Sequence, residues 1–283
     1  MLAEAANATT DRTQILGALQ RASQATGADF NYLLDTAMRE SSLKPSAQAS
    51  TSSAAGLFQF VDQTWLGMIK TYGAKYGLSA DAAKISQTAN GHYRVSNPAD
   101  RSAILALRKD PNVASLMEGE LAQASRATLQ QSLGRDVCGG ELYAAHFLGP
   151  DAACRLIRMS DSSPNASAAH LFPAAAEANR SVFFHSDGTS RTVREVYDWA
   201  TRQSSAPLAP SAPPPAGVVE GGVTSVPDES SLLASLSSWQ PRHGFFSSDT
   251  SDGSVPTPAF LMTPDVMDVL SSVGSVATGR ATD

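Results

Sequence analysis

One carboxylate stands apart in this chain. Glu40 sits in the segment RESSLKPSAQASTSSAAGLFQF (residues 39–60), at the end of a plausible helix, and no further Asp or Glu follows it until Asp62. On a helix over 30–43, Leu33, Ala37 and Glu40 follow i, i+4, i+7 spacing and stack on one side. Phe30, Leu34 and Ala37 define the apolar stripe, and Glu40 lies at its edge. Arg39 and Asp35 fall on the opposite, polar side, with Asp35 about 140° around the helix from Glu40, so Asp35 is no partner in a shared site. A carboxyl facing partly apolar surroundings loses hydration of its charged form, and its pKa rises. An acid that keeps its proton near neutral pH can act as a general acid. The plain alternative is a boundary Glu that reaches out to water, and spacing alone does not separate the two.

The elements that must position such an acid read as helices. Residues 1–10 read as a flexible leader, and Asp11 to Gln24 as a short amphipathic helix. Asp29 is the expected N-cap of the helix carrying Glu40, which Lys44-Pro45 ends. Asp62 is expected to cap a helix from Thr64 to Tyr76, closed by Gly77. Asn97-Pro98 and Asp110-Pro111 each place a capping residue before a first-turn proline, predicting helices over 98–109 and 111–132 with Gly134 beyond the second. A helix pair is expected over 141–148 and 151–159 around Gly149-Pro150, and Thr192 with Glu195 forms a capping box. The one strand-like signal is Val182-Phe183-Phe184 before Asp187-Gly188, read as a small hairpin. The expected fold class is mainly α, without the βαβ alternation of a parallel sheet.

Composition divides the chain. Residues 1–202 carry 19 basic and 19 acidic residues, whereas 203–283 carry 2 and 8, the whole net charge of −6. Ten of the sixteen prolines also fall in 203–283, a linker-like or disordered composition interrupted by SLLASLSSWQPRHGFF (231–246) and FLMTPDVMDVL (260–270). These islands read either as sticky segments with transient helix or as short docking motifs that order on a partner. No basic surplus argues for nucleic acid, and no run reaches the ~18 apolar residues of a spanning helix. The start, MLAEAANATT, has no charged n-region or long apolar core, so no export signal is expected in that stretch. Cys138 and Cys154 are either a disulfide or two thiols; a helix–turn–helix between them would not bring them opposite each other. Two cysteines cannot close a thiolate zinc site and the five histidines show no metal-ligand spacing, so no metal or other cofactor is expected.

The residues after Glu40 extend the pattern. Glu40-Ser41 at a helix end, then Pro45, Ala47 and Ser50, then Ala54, Gly56, Leu57 and Gln59, then Thr64-Trp65, resemble the signatures of the soluble lytic transglycosylase (SLT) family. Ser53 stands where the family turn has a glycine. Further on, Ala145-His146-Phe147-Leu148-Gly149 takes the place of the common Ala-Tyr-Asn-Ala-Gly, a form similar to that of an alphaproteobacterial-type branch. The resemblance covers residues 28–160 and, more weakly, runs to 200. It implies a lysozyme-like helical catalytic domain over 11–202, with a small β-hairpin at most, followed by the acidic tail.

The activity implied is non-hydrolytic cleavage of the β-1,4 bond between N-acetylmuramic acid and N-acetylglucosamine in peptidoglycan. Glu40 would protonate the leaving oxygen; its carboxylate would then take the proton of the muramyl C6 hydroxyl, which closes on C1 as a 1,6-anhydro ring. Ser41 would orient the site or bind substrate, or else cap the helix end. Gln59 would hold an N-acetyl or hydroxyl group, or be a turn amide. Gly56 marks a position where substrate or turn geometry forbids a Cβ. Phe58 would line the cleft or plug the core, whereas Phe60 and Trp65 read as core. Tyr143 and His146, one turn apart, would face Glu40 from across the cleft, although a histidine in such a helix is more often structural. Two other readings stay open: a hydrolytic muramidase on the same scaffold, and a catalytically inactive wall-binding module. The expected setting is the periplasm or cell envelope, as a monomer acting on glycan strands, with the tail tethering it to an envelope-spanning machine such as a flagellum or secretion system.

Overall fold

The computed structural model describes residues 2–50, 52–202 and 208. The tail 203–283 and its two islands lie outside the described residues, except for Leu208, which packs against the core. Twelve α-helices run in order among the described residues: α1 (Leu2–Thr26), α2 (Phe30–Ser41), α3 (Asp62–Tyr72), α4 (Ser79–Lys84), α5 (Pro98–Ala106), α6 (Pro111–Leu133), α7 (Gly139–Leu148), α8 (Pro150–Ser162), α9 (Ala168–Leu171), α10 (Pro173–Ala178), α11 (Arg180–Phe183) and α12 (Val193–Thr201). Short 3-10 turns continue α3 over Gly73–Tyr76 and α5 over Leu107–Lys109. The protein is mainly α, and no described helix is long and apolar enough to cross a membrane.

The caps fall where small polar side chains offer an acceptor. Asp29 accepts from the Tyr32 N–H at 3.0 Å and starts α2. Asn97 caps α5 and Asp110 caps α6, each followed by its first-turn proline. Gly134, at φ 69°, ends α6, and the Thr192–Glu195 capping box starts α12. α7 and α8 are split at Gly149-Pro150, where Gly149 has φ 87°. Long α6 forms the spine, packed along α1 and touching α2, α3, α7 and α8. Leu33, Leu57, Trp65, Leu66 and Phe183 are among the fully buried side chains around it, and each large apolar side chain removed from water contributes about 1.5–3 kcal/mol.

Several expectations are corrected. Residues 2–10, read as a leader, are helical and belong to α1, and the helix carrying Glu40 stops at Ser41. Val182-Phe183 is helical in α11, and the small hairpin is confined to the residues after it: Phe184 bridges Ser190, and the His185 N–H donates to the Thr189 carbonyl at 2.9 Å around Asp187-Gly188. A further hairpin, not expected, is β1 (Ile85–Gln87) with β2 (Tyr93–Val95), antiparallel with Ile85 opposite Val95 and Gln87 opposite Tyr93. Asp62 caps nothing: it is the first residue of α3, and its carboxylate pairs with Arg101 at 2.5 Å and Arg108 at 3.0 Å. Both cysteines are free thiols, which settles the choice left open by their spacing.

Candidate active site

Glu40 occupies the last turn of α2, and the chain leaves that turn abruptly. Ser42 and Leu43 both adopt left-handed backbone, φ 54° and 60°, a conformation that costs a non-glycine residue about 1–2 kcal/mol. Two interactions hold it: Leu43 is buried, and the Ser41 hydroxyl lies 3.1 Å from the Ala37 carbonyl and 2.9 Å from the Leu57 carbonyl. Ser41 therefore staples the end of α2 to the turn at 56–60, the backbone role among its two readings.

That turn is rigid for a second reason. Gly56 has φ 84°, and a Cβ built on it would stand 2.0 Å from the carbonyl oxygen of Arg108. The position is closed to a side chain by close backbone approach as well as by φ. Gln59 also has positive φ, 49°, and its Nε2 donates to the Gly56 carbonyl at 2.9 Å, so this amide braces its own turn. Arg108 supports the turn from behind, donating from Nη1 to the carbonyls of Ser53 at 2.6 Å and Phe60 at 2.9 Å. Ser53 keeps a negative φ, and its hydroxyl accepts from the Asp62 N–H at 3.2 Å, so nothing in its geometry calls for glycine. Phe58 is corrected to core: it is fully buried, 6.4 Å edge-on from Phe60, which packs on Trp65. The chain reverses at Gln59, so residues two apart both turn inward.

Across from Glu40 stands α7. Its start is fixed by Glu141, which accepts from the Cys138 N–H and from both terminal nitrogens of Arg135. Two residues later the Tyr143 hydroxyl donates to Glu40 Oε1 at 2.6 Å. His146, a further turn on, stacks on Tyr143 with ring centres 5.8 Å apart. Its Nδ1 stands 3.1 Å from Oε1 of Glu118, a residue of α6 that also accepts from the Tyr32 hydroxyl at 3.1 Å. Five polar side chains from α2, α6 and α7 thus meet in the interior: Tyr32, Glu40, Glu118, Tyr143 and His146. Arg39 closes the outer side, 3.6 Å over the Tyr143 ring and 4.2 Å over that of Trp199, with its guanidinium donating to the carbonyls of Trp199 and Ala200. The polar side predicted for α2 is therefore covered by α12.

Glu40 is 2% exposed, more enclosed than a stripe-edge position predicts, and Glu118 is 0% exposed. Burial pushes the Glu40 carboxyl above its ordinary pKa. His146, the Tyr143 hydrogen bond and Arg39 pull the other way, and Glu118 adds to the rise. Burial works to lower the pKa of His146, but Glu118 and then Glu40 outweigh it, and the imidazole ends above its usual value. Burial also keeps the Tyr143 phenol protonated, which suits a donor to Glu40.

The structure brings Glu40, Tyr143 and His146 into one cluster and places Ser41, Gly56 and Gln59 in the frame that holds it. Sequence reading missed Glu118, Tyr32, Arg39 and Arg108. Glu118 had a legible signal: it falls on the stripe Ala114, Glu118, Leu121, Ser125 and Leu129, all buried, whose 4-3-4-4 spacing is one face of a helix. Among the described residues no group of three or more His, Cys, Asp or Glu side chains gathers at metal-binding reach. A comparison with models of protein families finds none that matches the chain.

Proposed function

We propose that the chain is a peptidoglycan lytic transglycosylase of lysozyme-like fold, cleaving the MurNAc-β-1,4-GlcNAc bond to leave 1,6-anhydro ends. The observation that carries this is Glu40: a carboxyl at the end of a helix, nearly enclosed, raised in pKa by burial and held through one oxygen by Tyr143. Such a carboxyl keeps its proton where an exposed one loses it. Oε1 is taken, so Oε2 is the oxygen left to meet a glycosidic oxygen. Proton donation breaks the C1–O bond; the carboxylate then accepts the C6 hydroxyl proton as that oxygen closes on C1, and Glu40 returns to its starting state without water.

The single-acid reading is supported by how Glu118 is engaged. A two-carboxylate glycosidase needs its second group free to attack C1 or to activate water. Glu118 is fully enclosed, with His146 and Tyr32 both at its Oε1, so no surface of it is open to a sugar. Catalysis in the periplasm or envelope on glycan strands, with a machine partner for the tail, goes with this reading. Mass spectrometry of digested sacculi tests it: anhydro-muropeptides are expected, reducing ends would point to the muramidase, and no release would leave the binding module.

A further inference from the structure

We propose that Glu118 is a positioning residue that acts through His146: its carboxylate faces the ring at Nδ1 and holds it as an imidazolium beside Glu40. The inference rests on the transglycosylase reading of Glu40. Geometry carries it. Glu118 comes from the spine helix, His146 from α7, and their 3.1 Å contact lies in a fully enclosed interior where an unpaired charge is strongly disfavoured. Tyr32 donates to the same Oε1, so that oxygen meets two partners, while Oε2 has no hydrogen-bond partner among the described residues. The stack of His146 on Tyr143, whose hydroxyl reaches Glu40, links the pair to the acid through one side chain.

The charge count explains the arrangement. With Glu40 protonated, the Glu118–His146 pair adds no net charge to the interior, and Arg39 stays on the outer side of the Tyr143 ring. When Glu40 gives up its proton, the new carboxylate forms beside a cation already in place, and no ion has to enter a dry interior. The charged groups acting on the ring are Glu118 from α6 and Glu40 and Arg39 from α2, while Tyr143 of its own helix stacks on it. From the other helices packed on α7, Tyr197 of α12 is taken up by Glu141 at 3.2 Å and Cys154 of α8 faces Ser132.

The test is a pH titration of the 15N-histidine-labelled full chain by NMR, with His146 assigned by loss of its signal in His146→Gln. The wild-type ring is expected to be protonated on both nitrogens at about pH 7, above the unperturbed range. Glu118→Gln should lower its midpoint by about one pH unit or more, and Glu118→Asp should restore part of the shift. On sacculi, Glu118→Gln should lower kcat about tenfold or more and leave KM within about twofold. A neutral wild-type ring at that pH overturns the inference even if the variants fail to fold, as does an unchanged midpoint in Glu118→Gln. Should the titration behave as expected while the wild type releases no anhydro-muropeptides, the transglycosylase reading fails and the ion pair stands.

Discussion

At the scale of single residues, the hydroxyl of Tyr143 tunes the acid. Its hydrogen bond favours the Glu40 carboxylate and so opposes burial. Tyr143→Phe removes that pull, and the Glu40 pKa rises further. The basic limb of the pH–activity profile, which reports loss of the acid's proton, should move to higher pH. kcat should fall by about tenfold, because the carboxyl loses its orientation as well. A limb that stays put or moves down would contradict the assignment. Glu40 itself was legible through the residues that follow it, Ser41, Gly56, Leu57 and Gln59, since its place at the edge of a stripe of Leu33 and Ala37 also fits a boundary carboxylate. Glu118 was not found by looking for a carboxylate near Glu40 in sequence, since its helix begins some seventy residues later. The stripe through Ala114 and Leu121 would have exposed it. Arg39 was placed on the solvent side because a lone helix has one obvious packing face; only the arrival of α12 gives it a second.

At the scale of elements, the end of α2 and the turn at 56–60 form one unit. Gly56→Ala would put a methyl against the Arg108 carbonyl and force a non-glycine residue to φ 84°. We expect a loss of about 3 kcal/mol or more in urea unfolding, with the clash the larger share. A change within about 0.5 kcal/mol would show that the turn and the 3-10 segment at 107–109 are not in contact. A second approach of this kind joins α7 to α12, where a Cβ on Gly140 would stand 2.4 Å from the Thr201 Cα. α2 also carries a pH liability. Asp35 is pushed up to about 6, by burial first and then by Asp29. The folded chain then binds this proton more tightly than the unfolded chain, so its contribution to stability falls as pH rises from the ordinary carboxylate range through about 6. Asp35→Asn should raise Tm at about pH 7 and leave it unchanged near pH 4; an equal shift at both would contradict burial as the cause. Helices with caps were readable, as α5 and α6 show. The turn at Asp187-Gly188 was found, with Phe184 bridged to Ser190, but the β1–β2 hairpin was missed because Ile-Ser-Gln is a weak strand signal, although Asn90-Gly91 in its loop is a strong turn signal. α9, α10 and α11 are too short to show a period, and packing alone sets them.

At the scale of the whole molecule, the neutral helical body and the acidic remainder separate in composition near residue 203. Leu208 packs against the core, so a cut beyond it respects the body. Removing 209–283 should leave sacculus cleavage and Tm unchanged while abolishing recruitment to an envelope partner; loss of cleavage would place part of the tail in the active body. The division into body and tail was legible because proline and charge are properties of composition. The approach of Tyr143 to Glu40 was expected from the resemblance, whereas the arrival of Glu118 from α6 was not, because it depends on how helices far apart in the chain pack. The central claim is that one enclosed carboxyl, Glu40, performs both proton transfers of a reaction that consumes no water. Its most direct test is the mass spectrum of muropeptides released from sacculi by the wild type and by Glu40→Gln. The account predicts 1,6-anhydro ends from the wild type and a release lower by about three orders of magnitude from the variant. Reducing ends from the wild type, or equal release by both, would contradict it.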